Sequence, residues 1–293
     1  MNYLTNRITS ELEKYFSKFD NIFKGQSQKD EFRLYGTALL LERKNIQCMS
    51  KHIVDSNYQS MHHFMHDAPY DDKAINNQRI DMLENNRSTK SCSDGYVIID
   101  DTGNPKSGDS TFGTRRQWIG SLGKVDRGQV VVTSHYADSR KDWSIEHRPY
   151  LPEQWVKEAN ARQNKITYIF KSKLQLGLEL IDDLKKRGIQ YSHLLIDGWY
   201  GNSPNFIIGV EQRECLYITG LYCNRLVYYQ LPGEPARNEH YMKDIVTSLV
   251  DDVYVEVDYV KANGDNVKAY VVDMEIKVKK LGKHRVVIFK PNR

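Results

Sequence analysis

The chain has 293 residues, 40% hydrophobic and 27% charged, with 42 basic against 38 acidic side chains and a formal net charge of +4. Those proportions fit a soluble, globular protein of about two domains, and so small a charge does not by itself argue for a nucleic-acid partner. No apolar run approaches the ~20 residues of a membrane span and Met1-Asn2-Tyr3 opens no signal peptide; Cys48, Cys92, Cys215 and Cys223 form no C-x-x-C pair, so neither a disulfide framework nor a zinc knuckle is suggested and a cytoplasmic location is expected.

From Tyr3 to Phe19, Leu4, Ile8, Leu12, Tyr15, Phe16 and Phe19 recur at helical spacing. A second helix is predicted over Lys29 to Arg43, where Gly36 suggests close packing against a neighbour. Ile46, Met49 and Ile53 mark a short helix, Asp55-Ser56-Asn57 a turn, and Met61 to Met65 a further helix. This is the outline of a helix-turn-helix, whose second helix would enter a DNA major groove. Plain helical bundles share it, and the balance of 13 basic and 13 acidic residues from Met1 to Gly95 favours the bundle. His62, His63 and His66 have helical spacing but no carboxylate or cysteine at ligand distance in sequence, so they are expected to be ordinary surface or core histidines. The polar stretch Asn85 to Gly95 reads as a link, which sets a helical domain at residues 1–90.

Val97-Ile98-Ile99-Asp100-Asp101-Thr102-Gly103 and His193-Leu194-Leu195-Ile196-Asp197-Gly198 are each a short apolar run ending on aspartate, the pattern of a buried strand delivering a carboxylate to its exposed end. Side by side, two such strands would hold Asp100 and Asp197 close together and make a site for a hard divalent cation such as Mg²⁺. Asp101 competes with Asp100, but adjacent side chains on a strand point to opposite faces, so only one of the two can take part. After Asp100 a long loop is predicted, with Gly103, Gly108, Gly113, Gly120, Gly123 and Gly128 for close backbone approach and with Lys106, Arg115, Arg116, Lys124 and Arg127 for positive potential. It is not a P-loop, because Gly123-Lys124 is followed by Val125.

Strands are predicted over Gln129 to Ala137 and Trp143 to Tyr150, then a helical or irregular stretch from Leu151 to Trp155. A helix follows from Lys173 to Arg187, with Leu174, Leu178, Ile181 and Leu184 on one face and Gly188 as its stop. With a strand at Ser192 to Asp197, this order lets the first and last strands lie parallel and brings both aspartates to one edge of an α/β sheet. Ser203 to Val210 reads as a helix, Cys215 to Thr219 as a strand, and Leu226 onward as β-rich (Tyr254 to Tyr259, Tyr270 to Ile276, Val286 to Phe289). Lys268 to Arg293 carries eight basic and two acidic residues, which suits a solvated hairpin face or a phosphate track.

Several separated motifs in order resemble the DDE transposases of bacterial insertion sequences. They are Asp100-Asp101-Thr102-Gly103-Asn104-Pro105-Lys106-Ser107-Gly108, the run Arg116 to Asp126, Tyr150-Leu151-Pro152, and Leu195-Ile196-Asp197-Gly198-Trp199-Tyr200-Gly201; upstream, Tyr58 to Phe64 and Asp67 to Asp72 also match. The resemblance implies an RNase H-like mixed sheet at residues 91–225, an N-terminal helical domain, and a β-rich insertion segment at 226–293. It makes Asp100 and Asp197 the first two acidic residues of a catalytic triad that holds Mg²⁺ or Mn²⁺, with Asp100 preferred because the family places the catalytic residue before the Asp-Thr pair. It implies double-stranded DNA, at transposon ends and target, as partner, a homo-oligomer assembled on DNA, and Arg115, Arg116, Lys124 and Arg127 as candidate DNA contacts.

The family's third acid, a glutamate within Tyr-x-x-Arg-x-x-x-Glu-x-x-x-x-x-x-Lys, has no counterpart after Asp197: Glu211 and Glu214 come too early, and Glu256 and Glu275 sit in strand-like runs. The expectation is therefore a truncated or split transposase, inactive alone, with a DNA-binding or multimerising remnant as the alternative. A haloacid-dehalogenase-type phosphohydrolase also starts from a strand ending in aspartate, but requires Asp-x-Asp-Gly-Thr, and Thr102 stands two after Asp100.

Overall fold

The computed structural model describes residues 10–108, 110–162, 166–261 and 263–291; the start of the first predicted helix, with Leu4 and Ile8, lies outside them. The chain divides into two compact units, Met1–Lys90 and Ser91–Arg293. No helix among the described residues is long and apolar enough to cross a membrane.

In the first unit a helix over 10–16 runs into the 3₁₀ segment Ser17–Ile22, followed by α1 (Gln26–Ala38), α2 (Ile46–His52), α3 (Tyr58–His66) and α4 (Asp72–Glu84). Asn45, Asn57 and Asp71 cap α2, α3 and α4 by accepting the N–H of Cys48, Ser60 and Ala74. α1 ends before the predicted Arg43, because Leu40 and Leu41 bond back to Thr37 and Ala38 in tight turns. Gly36 does mark a close contact, since a Cβ there would lie 2.4 Å from the Phe16 ring. Phe19, Phe23 and Phe64 form a buried core with Phe32 packed among them. The His62 and His66 rings stack on each other at 4.2 Å. α4 has no counterpart among the predicted elements: Lys73 to Glu84 shows no clear apolar stripe, and only Ile80 of α4 is fully buried.

The second unit opens with a six-stranded mixed sheet of β1 (Tyr96–Pro105), β2 (Arg115–Ile119), β3 (Lys124–Ala137), β4 (Asp142–Tyr150), β5 (His193–Ile196) and β6 (Tyr217–Thr219). Its order is β2-β3-β1-β5-β6, with β4 also paired to β3. β1, β2 and β4 run antiparallel to β3, whereas β5 lies parallel to β1 and β6 parallel to β5. Helices α5 (Glu153–Ala161) and α6 (Lys173–Arg187) separate β4 from β5, and α7 (Gly198–Gly201) and α8 (Pro204–Glu211) separate β5 from β6. Much of the stretch predicted as a loop after Asp100 is thus strand, β1 reaching Pro105 and β3 starting at Lys124.

α6 has the predicted bounds, with Ser172 and Gln175 closing a capping box and Gly188 stopping it at φ 69°. Its buried residues are Leu176, Gly177, Leu180, Ile181 and Leu184. Each fully buried leucine or isoleucine contributes about 1.5–3 kcal/mol. Leu178, predicted for that face, packs against Gly209 of α8 instead, where a Cβ would lie 2.8 Å from its Cδ1.

A second sheet holds β7 (Leu226–Tyr229), β8 (Asn238–Tyr241), β9 (Val255–Val260), β10 (Asn266–Val278) and β11 (Gly282–Pro291), ordered β11-β10-β7-β8 with β9 also on β10. Val227, Ile276 and Val278 form its core with Met242 and Ile245 of helix α9 (Met242–Ser248).

Candidate active site

Alternation along β1 separates the two adjacent aspartates. Val97 and Ile99 are buried, and Ile99 lies on the α6 side, 3.5 Å from where a Cβ on Gly177 would stand. Asp101, two residues on, shares that face and accepts a 2.7 Å bond from Lys173 Nζ in the first turn of α6. Asp100 is exposed, and its Oδ1 accepts the Asp101 N–H at 2.7 Å. Its carbonyl accepts the Thr133 hydroxyl at 3.2 Å, across the strand pair that sets Asp100 opposite Thr133.

Asp197 follows β5 directly. β1 and β5 are paired in parallel up to Ile99 and Ile196, so the next residue on each strand is one of the two aspartates. Asp197 caps α7 by accepting the Tyr200 N–H at 2.9 Å, while Thr219 of β6 donates to its carbonyl at 3.0 Å. The helix start holds this carboxylate, and the neighbouring strand holds the backbone that carries it.

The electrostatics of this edge are those of three nearby carboxylates compensated by one lysine. Although Asp100 is exposed as a residue, its carboxyl is partly desolvated at this edge, which raises its pKa above the usual aspartate value, and Asp101 and Asp197 raise it further against the opposing effects of the Asp101 N–H and Lys173. Tyr200, fully buried, is pushed well above the tyrosine range by burial and then by Asp101, Asp100 and Asp197, and its hydroxyl has no hydrogen-bond partner among the described residues. Lys173 is held by Asp101 and lies over the rings of Tyr150, at 5.6 Å, and Trp199, at 5.8 Å. Hard oxygen donors crowded at one edge, with the nearby lysine engaged by Asp101, are a donor set that fits a divalent cation.

Among the described residues no group of three or more His, Cys, Asp or Glu side chains is placed to hold a metal ion. None of the four glutamates weighed as a third ligand joins such a group: Glu211 bonds Tyr217 and His284, Glu256 pairs with Lys268, Glu275 with Lys283, and Glu214 lies in the turn that follows α8, at φ 56°. Lys173 and Tyr200 were not singled out from sequence. Tyr200 lies within the quoted Asp197-Gly198-Trp199-Tyr200 motif, whereas nothing local marks Lys173, 72 residues from its partner.

The basic candidates sit on the β2–β3 hairpin. Arg116 faces Arg127 in register, Arg115 pairs with Glu158 of α5, and Lys124 pairs with Asp126 at 2.9 Å. Arg115, Arg116 and Arg127 line a cavity of about 630 Å³ with Arg162, Phe112 and Trp155, of which the last three were not expected from sequence. The late basic run is extensively ion-paired, Lys268 with Glu256, Lys283 with Glu275, Arg285 with Asp273 and Lys290 with Asp251, as suits a solvated sheet face.

Residues 18–243 match the family model of the DDE superfamily endonucleases, and the chain belongs to that family. A probable transposase for insertion sequence element IS701, from Microchaete diplosiphon, is 25% identical over 219 residues, a match covering 74% of this chain and 55% of that protein. The chain therefore spans about half the length of this relative. Two solved structures, both Ppx/GppA proteins of Aquifex aeolicus, share 13% and 14% identity over 67% of this chain and 51% and 52% of theirs, at TM-scores of 0.18 and 0.16. Similarity that low carries no argument about fold or function.

Proposed function

We propose that this chain is the DNA-acting part of an insertion-sequence transposase, with Asp100 and Asp197 as its metal-holding catalytic carboxylates. The observation that carries the proposal is the parallel β1–β5 pair, which puts both aspartates at one sheet edge in a chain of the DDE endonuclease family. The RNase H-like assignment is supported by the order of the sheet, with β1 between an antiparallel β3–β4 pair and the parallel strands β5 and β6.

Bound Mg²⁺ or Mn²⁺ supplies activation of an attacking water or 3′-hydroxyl and charge neutralisation at the DNA phosphodiester. Asp100 and Asp197 would hold it, the former from a rigid strand, the latter from a capped helix start. Lys173 keeps Asp101 on the α6 face, which leaves Asp100 as the carboxylate presented from β1. Tyr200, fully buried and within electrostatic reach of the three carboxylates, keeps its hydroxyl protonated.

The test is metal-dependent nicking of DNA carrying the element's own ends. Asp100→Asn and Asp197→Asn should each lower the rate at least about a hundredfold, or about 3 kcal/mol, while Asp101→Asn should not. Cutting by Asp100→Asn at the wild-type rate would contradict the assignment. A second reading, a DNA-binding chain that does not cut alone, is favoured because no group of three or more His, Cys, Asp or Glu side chains among the described residues is placed to hold a metal ion. Binding of the ends without nicking would select it.

A further inference from the structure

The cavity between the β2–β3 hairpin and α5 is lined by none of Asp100, Asp101 and Asp197, and its lining combines two chemistries. Phe112, Trp155 and Tyr168 form a cluster of rings: Phe112 meets Trp155 edge-on at 4.9 Å, and Tyr168 meets Trp155 at 5.1 Å and Phe112 at 5.8 Å. Tyr168 is pinned although it lies on an irregular stretch, because Asn160 of α5 both accepts its N–H and donates to its carbonyl, each at 2.9 Å. Gln129 of β3 holds the other side by donating to the Phe112 carbonyl at 2.6 Å. The rings are therefore a preorganised platform.

Around it stand four arginines, Arg115, Arg116, Arg127 and Arg162, against one lining carboxylate, Glu158, which Arg115 and Gln154 engage. Arg116 and Arg127 directly oppose each other across β2 and β3, which gathers positive charge along this wall of the cavity. A cationic ligand is disfavoured beside four guanidinium groups. Aromatic faces beside guanidinium groups suit an anionic ligand with a flat ring system. A paired duplex offers its base edges and phosphates but not its base faces, whereas an unpaired nucleotide offers both a face and a phosphate.

Resting on the reading that this chain acts on DNA, we propose that the cavity lined by Phe112, Trp155, Tyr168 and the hairpin arginines binds an unpaired nucleotide, its base against the rings and its phosphate between Arg116 and Arg127. The cavity adjoins the carboxylate edge through the end of β4: Pro152 lines it, while Tyr150 lies beside Lys173. Unpaired DNA near the cleavage site would therefore have a place to go.

The test titrates the whole chain with a dye-labelled short oligothymidylate and with a duplex of equal length, following anisotropy. Trp155→Leu and Tyr168→Leu should each lower the ratio of single-strand to duplex affinity about tenfold, the effect of losing one stacked base. Arg116→Gln with Arg127→Gln should flatten the salt dependence of single-strand binding. A ratio unchanged in both aromatic variants overturns the pocket while leaving the transposase reading intact. Failure of the wild-type chain to bind either DNA overturns both.

Discussion

Asp100 and Asp101 are neighbours in sequence with opposite surroundings, and that difference decides what each can do. Because the folded state raises the Asp100 pKa, mainly by partial desolvation and then by Asp101 and Asp197, its ionised form is disfavoured there. The stability it contributes is complete below the unfolded pKa of ~3.9 and is lost as pH rises through the higher folded value. Asp100→Asn should therefore melt about 1–2 °C above wild type at neutral pH without metal, and the gap should close in acid, as a pH series of melting curves would show. Lys173→Met removes the partner of Asp101, whose side chain is only 20% exposed. It should cost about 1–3 kcal/mol in urea unfolding, partly recovered when Asp101→Asn is added. The separation of Asp100 from Asp101 was legible in the sequence, because strand alternation is a local rule. The Lys173 partnership was not, because it depends on how α6 docks on β1.

At the scale of elements, α6 was the most legible: its periodicity, basic last turn and Gly188 stop are local signals, all present at Lys173–Arg187. Its two-sided packing was not, since the role of Leu178 is set by α8. The glycines after Asp100 misled for a physical reason. Gly103 and Gly128 lie within strands, where a Cβ would come 3.2 Å from the Ile119 Cα and 2.6 Å from the Asn104 carbonyl oxygen, so they permit tight strand approach rather than a loop. Gly201 has the same role between α7 and β6, where a Cβ would stand 2.7 Å from the Thr219 Cβ. Gly201→Ala should lower the urea midpoint by the equivalent of about 1–3 kcal/mol and shift the Asp197 cap.

The β4–α6 junction provides a second test at this scale. Burial acts to raise the pKa of Glu146, 8% exposed, but the His147 N–H, Arg148 and Arg187 outweigh it and hold the carboxyl below the usual glutamate range. Its contribution is complete above the unfolded pKa of ~4.3 and is lost as pH falls through the lower folded value. Glu146→Gln should destabilise by about 1–2 kcal/mol at neutral pH, and the difference should vanish in acid when urea unfolding is repeated there.

For the whole molecule, the order of strands and helices in the sequence was enough to anticipate that β1 and β5 run parallel and share an edge. The arrangement of the second sheet was not, since β7 and β10 pair across a long, weakly patterned stretch. The function proposed for the second unit turns on the pair of carboxylates delivered by β1 and β5, and the most direct test of that proposal is metal binding itself. Titration of Mn²⁺ into the chain and its Asp100→Asn, Asp101→Asn and Asp197→Asn variants, read as free Mn²⁺ by electron paramagnetic resonance, should show binding weakened about tenfold or more in the first and third variants and retained in the second. Binding that survives Asp100→Asn and Asp197→Asn, or that is lost with Asp101→Asn alone, would contradict it.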